Sequence, residues 1–121
     1  MERMNNKALG SLGEELAAEL IMTKGMEIIE RNFRCKMGEI DLIARDKDEM
    51  VFIEVKTRTS YTYGYPQESI DRRKVAKLRS VAAYYLSVNR LADQKCRFDI
   101  YTVFMTREYT LENISVFKNC F

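Results

Sequence analysis

The chain has 121 residues, 46% apolar and 31% charged, with a formal net charge of +2, the composition of one soluble globular domain rather than a disordered chain or two domains. It contains no histidine, which excludes Ser-His-Asp and Cys-His catalysis, histidine-ligated zinc and histidine general bases. No stretch approaches the eighteen or so uncharged apolar residues of a membrane span, so no membrane partner is expected.

The only apolar run near the N-terminus, Leu16 to Met22, is broken by Glu19 and does not read as a signal peptide. The cysteines, Cys35, Cys96 and Cys120, are odd in number, far apart and without CxxC spacing. That argues against a disulfide framework or zinc site and for a reducing cytoplasm.

In chain order, Asn5 or Asn6 is suited to cap a helix in which Leu9, Leu12, Leu16 and Leu20 recur at helical spacing. Lys24-Gly25 suits its C-terminal stop. Gly10, Gly13, Ala17 and Ile21 extend the edge of the leucine stripe, and Glu14 lies on that edge of small residues. Glu14 is either a surface helix glutamate or a carboxylate brought close to a neighbouring sheet. Residues Met26 to Arg34 read as a strand.

Two further strand patterns follow, Gly38 to Arg45 and Val51 to Lys56, joined by the turn-like Asp46-Lys47-Asp48-Glu49. Folded as a hairpin about that turn, they pair residues whose numbers sum to 95. Ile40 then faces Val55, Leu42 faces Ile53 and Ala44 faces Val51, an apolar surface. On the other face Ile43 meets Phe52, Asp41 meets Glu54 and Glu39 meets Lys56. A one-residue slip would set apolar against charged faces. A two-residue slip would pair Asp41 with Lys56 as a salt bridge, but needs a different turn and mispairs the apolar ends. In the favoured register two carboxylates lie roughly 5 Å apart at Cβ, a destabilising pair unless something offsets the repulsion. A divalent cation would, and hard oxygen ligands favour Mg²⁺ or Mn²⁺.

Arg58 to Tyr65 reads as a loop with Tyr61, Tyr63 and Tyr65, closing on Gly64 and Pro66. The tyrosines could stack on unpaired bases or pack locally. A long helix is predicted over about Gln67 to Asn89. Its apolar arc is Ile70, Val75, Leu78, Val81, Ala82 and Tyr85, and Lys74 falls inside it. Lys74 either snorkels to the rim or directs its ammonium to a phosphate at the carboxylates. Between Lys56 and Arg79 seven basic residues stand against Glu68 and Asp71, a segment of +5 in a chain whose remainder is −3. Such a patch binds phosphate or is simply a solvated face. Arg97 to Met105 and Ile114 to Phe121 are the last strands, giving the order α-β-β-β-α-β-β.

Asp41, a spacer of twelve residues and then Glu54-Val55-Lys56 resemble the D…ExK core of the PD-(D/E)XK nucleases, the restriction-endonuclease-like fold. Nearly the whole chain, roughly residues 9 to 105, resembles the YraN family of small bacterial proteins. The matching stretches are Gly13 to Ala17, Glu30 to Arg34, Gly38 to Ala44, Val51 to Arg58, Gly64 with Pro66, Lys74, and Arg97-Phe98-Asp99. The chain is also similar to archaeal Holliday-junction resolvases, in which a helix glutamate precedes the helix-ending glycine as Glu14 precedes Gly25. Ile40 stands where the superfamily has proline.

The resemblance implies a single mixed α/β domain of the restriction-endonuclease-like type, with helices flanking a central sheet. It implies Mg²⁺ or Mn²⁺ held by Asp41, Glu54, the Val55 carbonyl and Glu14. Lys56 would orient or deprotonate the attacking water, with Glu39 supporting its ammonium. Arg58, Arg72, Arg73 and Lys74 would contact the phosphates of a nucleic acid, DNA in view of the nuclease resemblance, without reading sequence. Metal-dependent, structure-selective DNA cleavage is the leading expectation. A nucleic-acid-binding module without chemistry and a protein-interaction domain are the alternatives. Cutting both strands would call for a homodimer.

Overall fold

The computed structural model describes residues 4–59 and 72–120. Helix α1 (Asn6–Thr23) is followed by strands β1 (Glu27–Cys35), β2 (Gly38–Asp46) and β3 (Glu49–Thr59). Helix α2 (Arg72–Val88) and strands β4 (Cys96–Met105) and β5 (Leu111–Phe117) complete the predicted order. The strands form one mixed sheet in spatial order β1-β2-β3-β4-β5. Every neighbouring pair is antiparallel except β3–β4. That parallel step is the one α2 bridges, as a parallel pair requires a crossover connection. Tyr61, Tyr63, Tyr65, Gly64, Pro66 and the predicted helix start at Gln67 lie outside the described residues.

Local chemistry explains the ends of α1. Asn5 is extended, and its side-chain oxygen accepts the Ala8 N–H at 2.7 Å, satisfying one of the orphan donors of the first turn. At the other end Gly25 is left-handed (φ 89°) and its N–H reaches the Met22 carbonyl, a conformation that glycine adopts without penalty.

Each helix covers one face of the sheet. Ala17, Ala18 and Ile21 of α1 pack on Leu42, Ala44, Val51, Ile53, Tyr101 and Val103. Leu78, Val81, Ala82 and Tyr85 of α2 pack on Ile40, Ile43, Met50 and Phe52. Tyr85 meets the edges of Phe33 and Phe52, with ring centroids 5.1 and 6.0 Å away. Gly13 lets α1 approach β3 closely, because a Cβ there would lie 1.9 Å from Thr57 Oγ1. The next residue, Glu14, is thereby carried to the sheet.

The hairpin register is the predicted one. Leu42 pairs with Ile53, Ile43 with Phe52 and Ala44 with Val51, down to Asp46 with Glu49 at the turn. The two-residue slip does not occur. The pairing ends at Leu42 and Ile53, however. Beyond that point β2 stays with β1 while β3 runs on beside β4 to Thr59. A register shift between Ile28 and Glu30 and the left-handed Asn32 (φ 53°) make β1 irregular here. As a result Ile40, expected opposite Val55 on one face with Leu42 and Ala44, packs in the α2-side cluster instead, while those two pack under α1.

The last strand begins earlier than its sequence pattern predicts, at Leu111 rather than Ile114, and ends at Phe117. A tight turn explains the start, with the Thr106 N–H on the Thr110 carbonyl at 2.8 Å and Tyr109 left-handed.

Candidate active site

The parting of β2 from β3 opens a cleft of about 170 Å³ against α2, lined by Glu39, Asp41, Glu54, Lys74, Lys77 and Leu78, among others. Asp41 and Glu54 thus stand one step past the last ladder pair, where backbone groups on the facing edges no longer have each other as partners. Asp41 takes up one of them directly: its Oδ2 accepts the Val55 N–H at 2.8 Å. Burial, together with the negative charges of Glu14, Glu54 and Glu39, pushes the Asp41 carboxyl up to about 6, opposed by the Val55 hydrogen bond.

Glu54 is only 12% exposed at its side chain. Its Oε1 forms an ion pair with Lys74 of α2 and lies 3.9 Å from the Lys56 ammonium. Its Oε2 is buried and has no hydrogen-bond partner among the described residues. Lys56 is 7% exposed. Burial holds its ammonium below the ordinary lysine range and the nearby Lys74 charge adds to this, while Glu54 works in the opposite direction. For Lys74 burial also works downward, but the Glu54 carboxylate outweighs it and leaves the group raised.

The other predicted residues are placed less uniformly. Glu14 is half-buried, with its carboxyl raised by burial and held by a hydrogen bond from Asn32. Its neighbour Glu15 points outward to Arg31 at 2.8 Å. Glu39 does not hold the Lys56 ammonium. It lines the cleft but pairs with Arg34, the residue opposite it on β1, because β2 follows β1 after leaving β3. Val55 meets Asp41 through its N–H. The Arg58 guanidinium donates to the Thr57 carbonyl at 2.9 Å, whereas Arg72 and Arg73 are exposed on the first turn of α2.

Lys77 belongs to the cleft, Thr102 stands beside Lys56 on the next strand, and both escape a motif-based reading. Lys77 lines the cleft, and its position three residues after Lys74 was the available signal, since i and i+3 share a helix face. Thr102 is the β4 partner of Lys56, and its hydroxyl is buried without a partner among the described residues. Nothing local marks it, because the β3–β4 register is set by a distant crossover.

The donor set suits a hard cation in chemistry: two carboxylates on one cleft, one with an unpartnered buried oxygen and already neutralised by an ammonium. Among the described residues no three acidic or thiol side chains form a ready-made metal cage. Asp41 and Glu54 therefore fit such an ion as a pair, with Glu14 as a neighbouring negative charge.

Fold and site together define a mixed α/β domain with a carboxylate–lysine cleft at the open end of a hairpin. The model of the family described as "Uncharacterised protein family UPF0102" matches residues 13–103, and the chain belongs to that family. That is the family to which the YraN resemblance pointed, and every site residue named above falls within the matched span. A UPF0102 protein of Moorella thermoacetica is 47% identical over 118 residues, covering 98% of each chain. One from Caldanaerobacter subterraneus subsp. tengcongensis is 43% identical over the full length of both. One from Clostridioides difficile is 44% identical over 84% of this chain and 90% of its own. No described helix is long and apolar enough to cross a membrane.

Proposed function

We propose that this protein is a metal-dependent, structure-selective DNA endonuclease acting in a reducing cytoplasm. The observation that carries the reading is the convergence of Asp41, Glu54 and Lys74 on one cleft, with Lys56 beside Glu54 and Glu54 Oε2 buried without a partner among the described residues. Buried polar atoms in native proteins are nearly always partnered, so an orphaned carboxylate oxygen in a cleft calls for a functional account.

Asp41 and Glu54 would hold Mg²⁺ or Mn²⁺, with the Val55 carbonyl and Glu14 in support. When bound, such an ion supplies Lewis-acid activation of water and neutralises charge on a scissile phosphate. The chain's own groups do the rest. The Val55 N–H fixes the Asp41 carboxylate. Lys56, with its depressed pKa, orients a water and takes up or screens its proton. Lys74 and Lys77 line one wall with positive charge, and with the exposed Arg72 and Arg73 on the same helix they would hold the backbone without reading bases. A homodimer would bring two such clefts to the two strands of a duplex.

The test is cleavage of labelled single-stranded, duplex, flap and four-way-junction DNA with Mg²⁺, Mn²⁺ or EDTA, beside the Asp41→Asn protein. Metal-dependent cutting that is lost in the variant is expected. Equal cutting by Asp41→Asn would sink the reading. Salt-sensitive binding with no cutting of any substrate would move the assignment to a nucleic-acid-binding module.

A further inference from the structure

Glu54 uses its two carboxylate oxygens unequally. Oε1 takes the ammonium of Lys74 and faces that of Lys56, while Oε2 has no partner among the described residues. The two lysines differ in their freedom. Lys56 is 7% exposed on the same strand as Glu54, whereas Lys74 is 40% exposed and reaches across the cleft from α2. Turning Lys74 out into the cleft would need no rearrangement of the core, because α2 is held by Leu78, Val81, Ala82 and Tyr85 on its apolar face. With Lys74 gone, the buried Glu54 would keep only Lys56 at 3.9 Å as counter-charge, a costly state for a carboxylate that has lost its close ion pair. Any exchange at this site must therefore replace one cation by another.

We propose that Lys74 is the resident counter-cation of the site, standing on Glu54 when no metal is bound and exchanging with the divalent cation. The inference rests on the metal reading above and changes the role of Lys74. On metal entry its ammonium is released into a cleft already lined by Lys77, and only then becomes available to a phosphate. Metal binding and backbone binding are thereby coupled through one side chain. The cleft, at about 170 Å³, has room for an ion with several waters at roughly 30 Å³ each.

Calorimetric titration with Mn²⁺, without nucleic acid, separates this from a simple orienting role. The proteins are the wild type, Lys74→Met, Lys74→Gln, Lys74→Arg and Lys74→Met with Glu54→Gln. Loss of the competing charge is expected to tighten Mn²⁺ binding by roughly tenfold in Lys74→Met. Lys74→Gln, which keeps a polar tie and guards against a folding defect, should shift the same way. Lys74→Arg should behave as wild type, and the Glu54→Gln background should abolish the gain. In EDTA, Lys74→Met should melt below wild type and gain more from saturating Mn²⁺. Unchanged or weaker Mn²⁺ binding in both neutral variants would overturn the exchange while leaving the metal site standing. Binding by none of the proteins would remove the metal site and the exchange together.

Discussion

Two clusters of charge lie along the β2–β3 hairpin, and they are built on opposite plans. At the closed end, Arg97 of β4 reaches Asp46 at 3.1 Å, Glu49 at 2.8 Å and Asp99 at 3.1 Å. Asp99 is fully buried, yet it also accepts the Asn119 N–H at 2.9 Å, so the cluster ties the hairpin turn, β4 and the C-terminal segment together. At the open end, two ammoniums share Glu54 Oε1, Oε2 has no partner among the described residues, and burial together with three further carboxylates raises the Asp41 pKa. One fork-shaped guanidinium can serve several carboxylates at once, whereas lysines act as point charges. Satisfied buried charge fixes a fold. Unsatisfied charge beside a cleft is what a ligand can act on.

The contrast is broken most directly at Arg97. Lys56 and Arg97 are both nearly buried cations on the central strands, but only Arg97 is the counter-charge of a fully buried aspartate. Arg97→Met strands Asp99 and should cost about 3–5 kcal/mol, read as a lower urea midpoint. Lys56→Met, with Lys74 still on Glu54, should cost much less. Similar losses in the two variants would mean that the clusters do not differ in kind.

Asp41 sharpens the comparison through pH. Its carboxyl is raised from 3.8 to about 6 in the folded protein, so the folded state holds the proton more tightly than the unfolded chain. The stability from this group is fully present below about pH 4 and is lost as pH rises through about 6. The shift corresponds to on the order of 3 kcal/mol. In EDTA at pH 8, Asp41→Asn should therefore be more stable than wild type by up to that order, with the gain vanishing near pH 4. Urea unfolding at the two pH values checks it. A variant that is less stable at both would show that Asp41 belongs with the Arg97 type of cluster.

How far the sequence could be read follows from the range of each interaction. The pairing of Leu42 with Ile53 and Ala44 with Val51 was legible because a four-residue turn and a period of two fix a local register. The neighbourhood of Asp41 and Glu54 followed from the same arithmetic. The expected Glu39–Lys56 contact failed because β1 dictates where β2 goes after Leu42, and its register shift and left-handed Asn32 leave no mark in the hairpin pattern. Lys74 was conspicuous inside an apolar arc, but its partner depended on where the crossover sets α2. The Arg97 cluster was invisible as a cluster, since Arg97 joins Asp46 and Glu49 only once Val51 pairs with Arg97 across the parallel step.

Gly13 joins the packing of α1 to the electrostatics of the cleft. A methyl group there would stand 1.9 Å from Thr57 Oγ1 and 3.1 Å from its Cβ, so either α1 lifts or β3 yields. Overpacking of this kind costs about 1–3 kcal/mol. If α1 lifts, Glu14 moves away with it, and one of the negative charges that raise Asp41 is weakened. Gly13→Ala should thus lower stability and, separately, bring the Asp41 pKa down towards its ordinary range, measured by carboxyl chemical shifts against pH. Thr57→Ala removes the nearest clashing atom and should recover part of both effects in the double variant, a coupling expected of side chains in contact. Lost stability with an unmoved Asp41 titration would mean that β3 yields rather than the helix, and that Glu14 stays at the cleft.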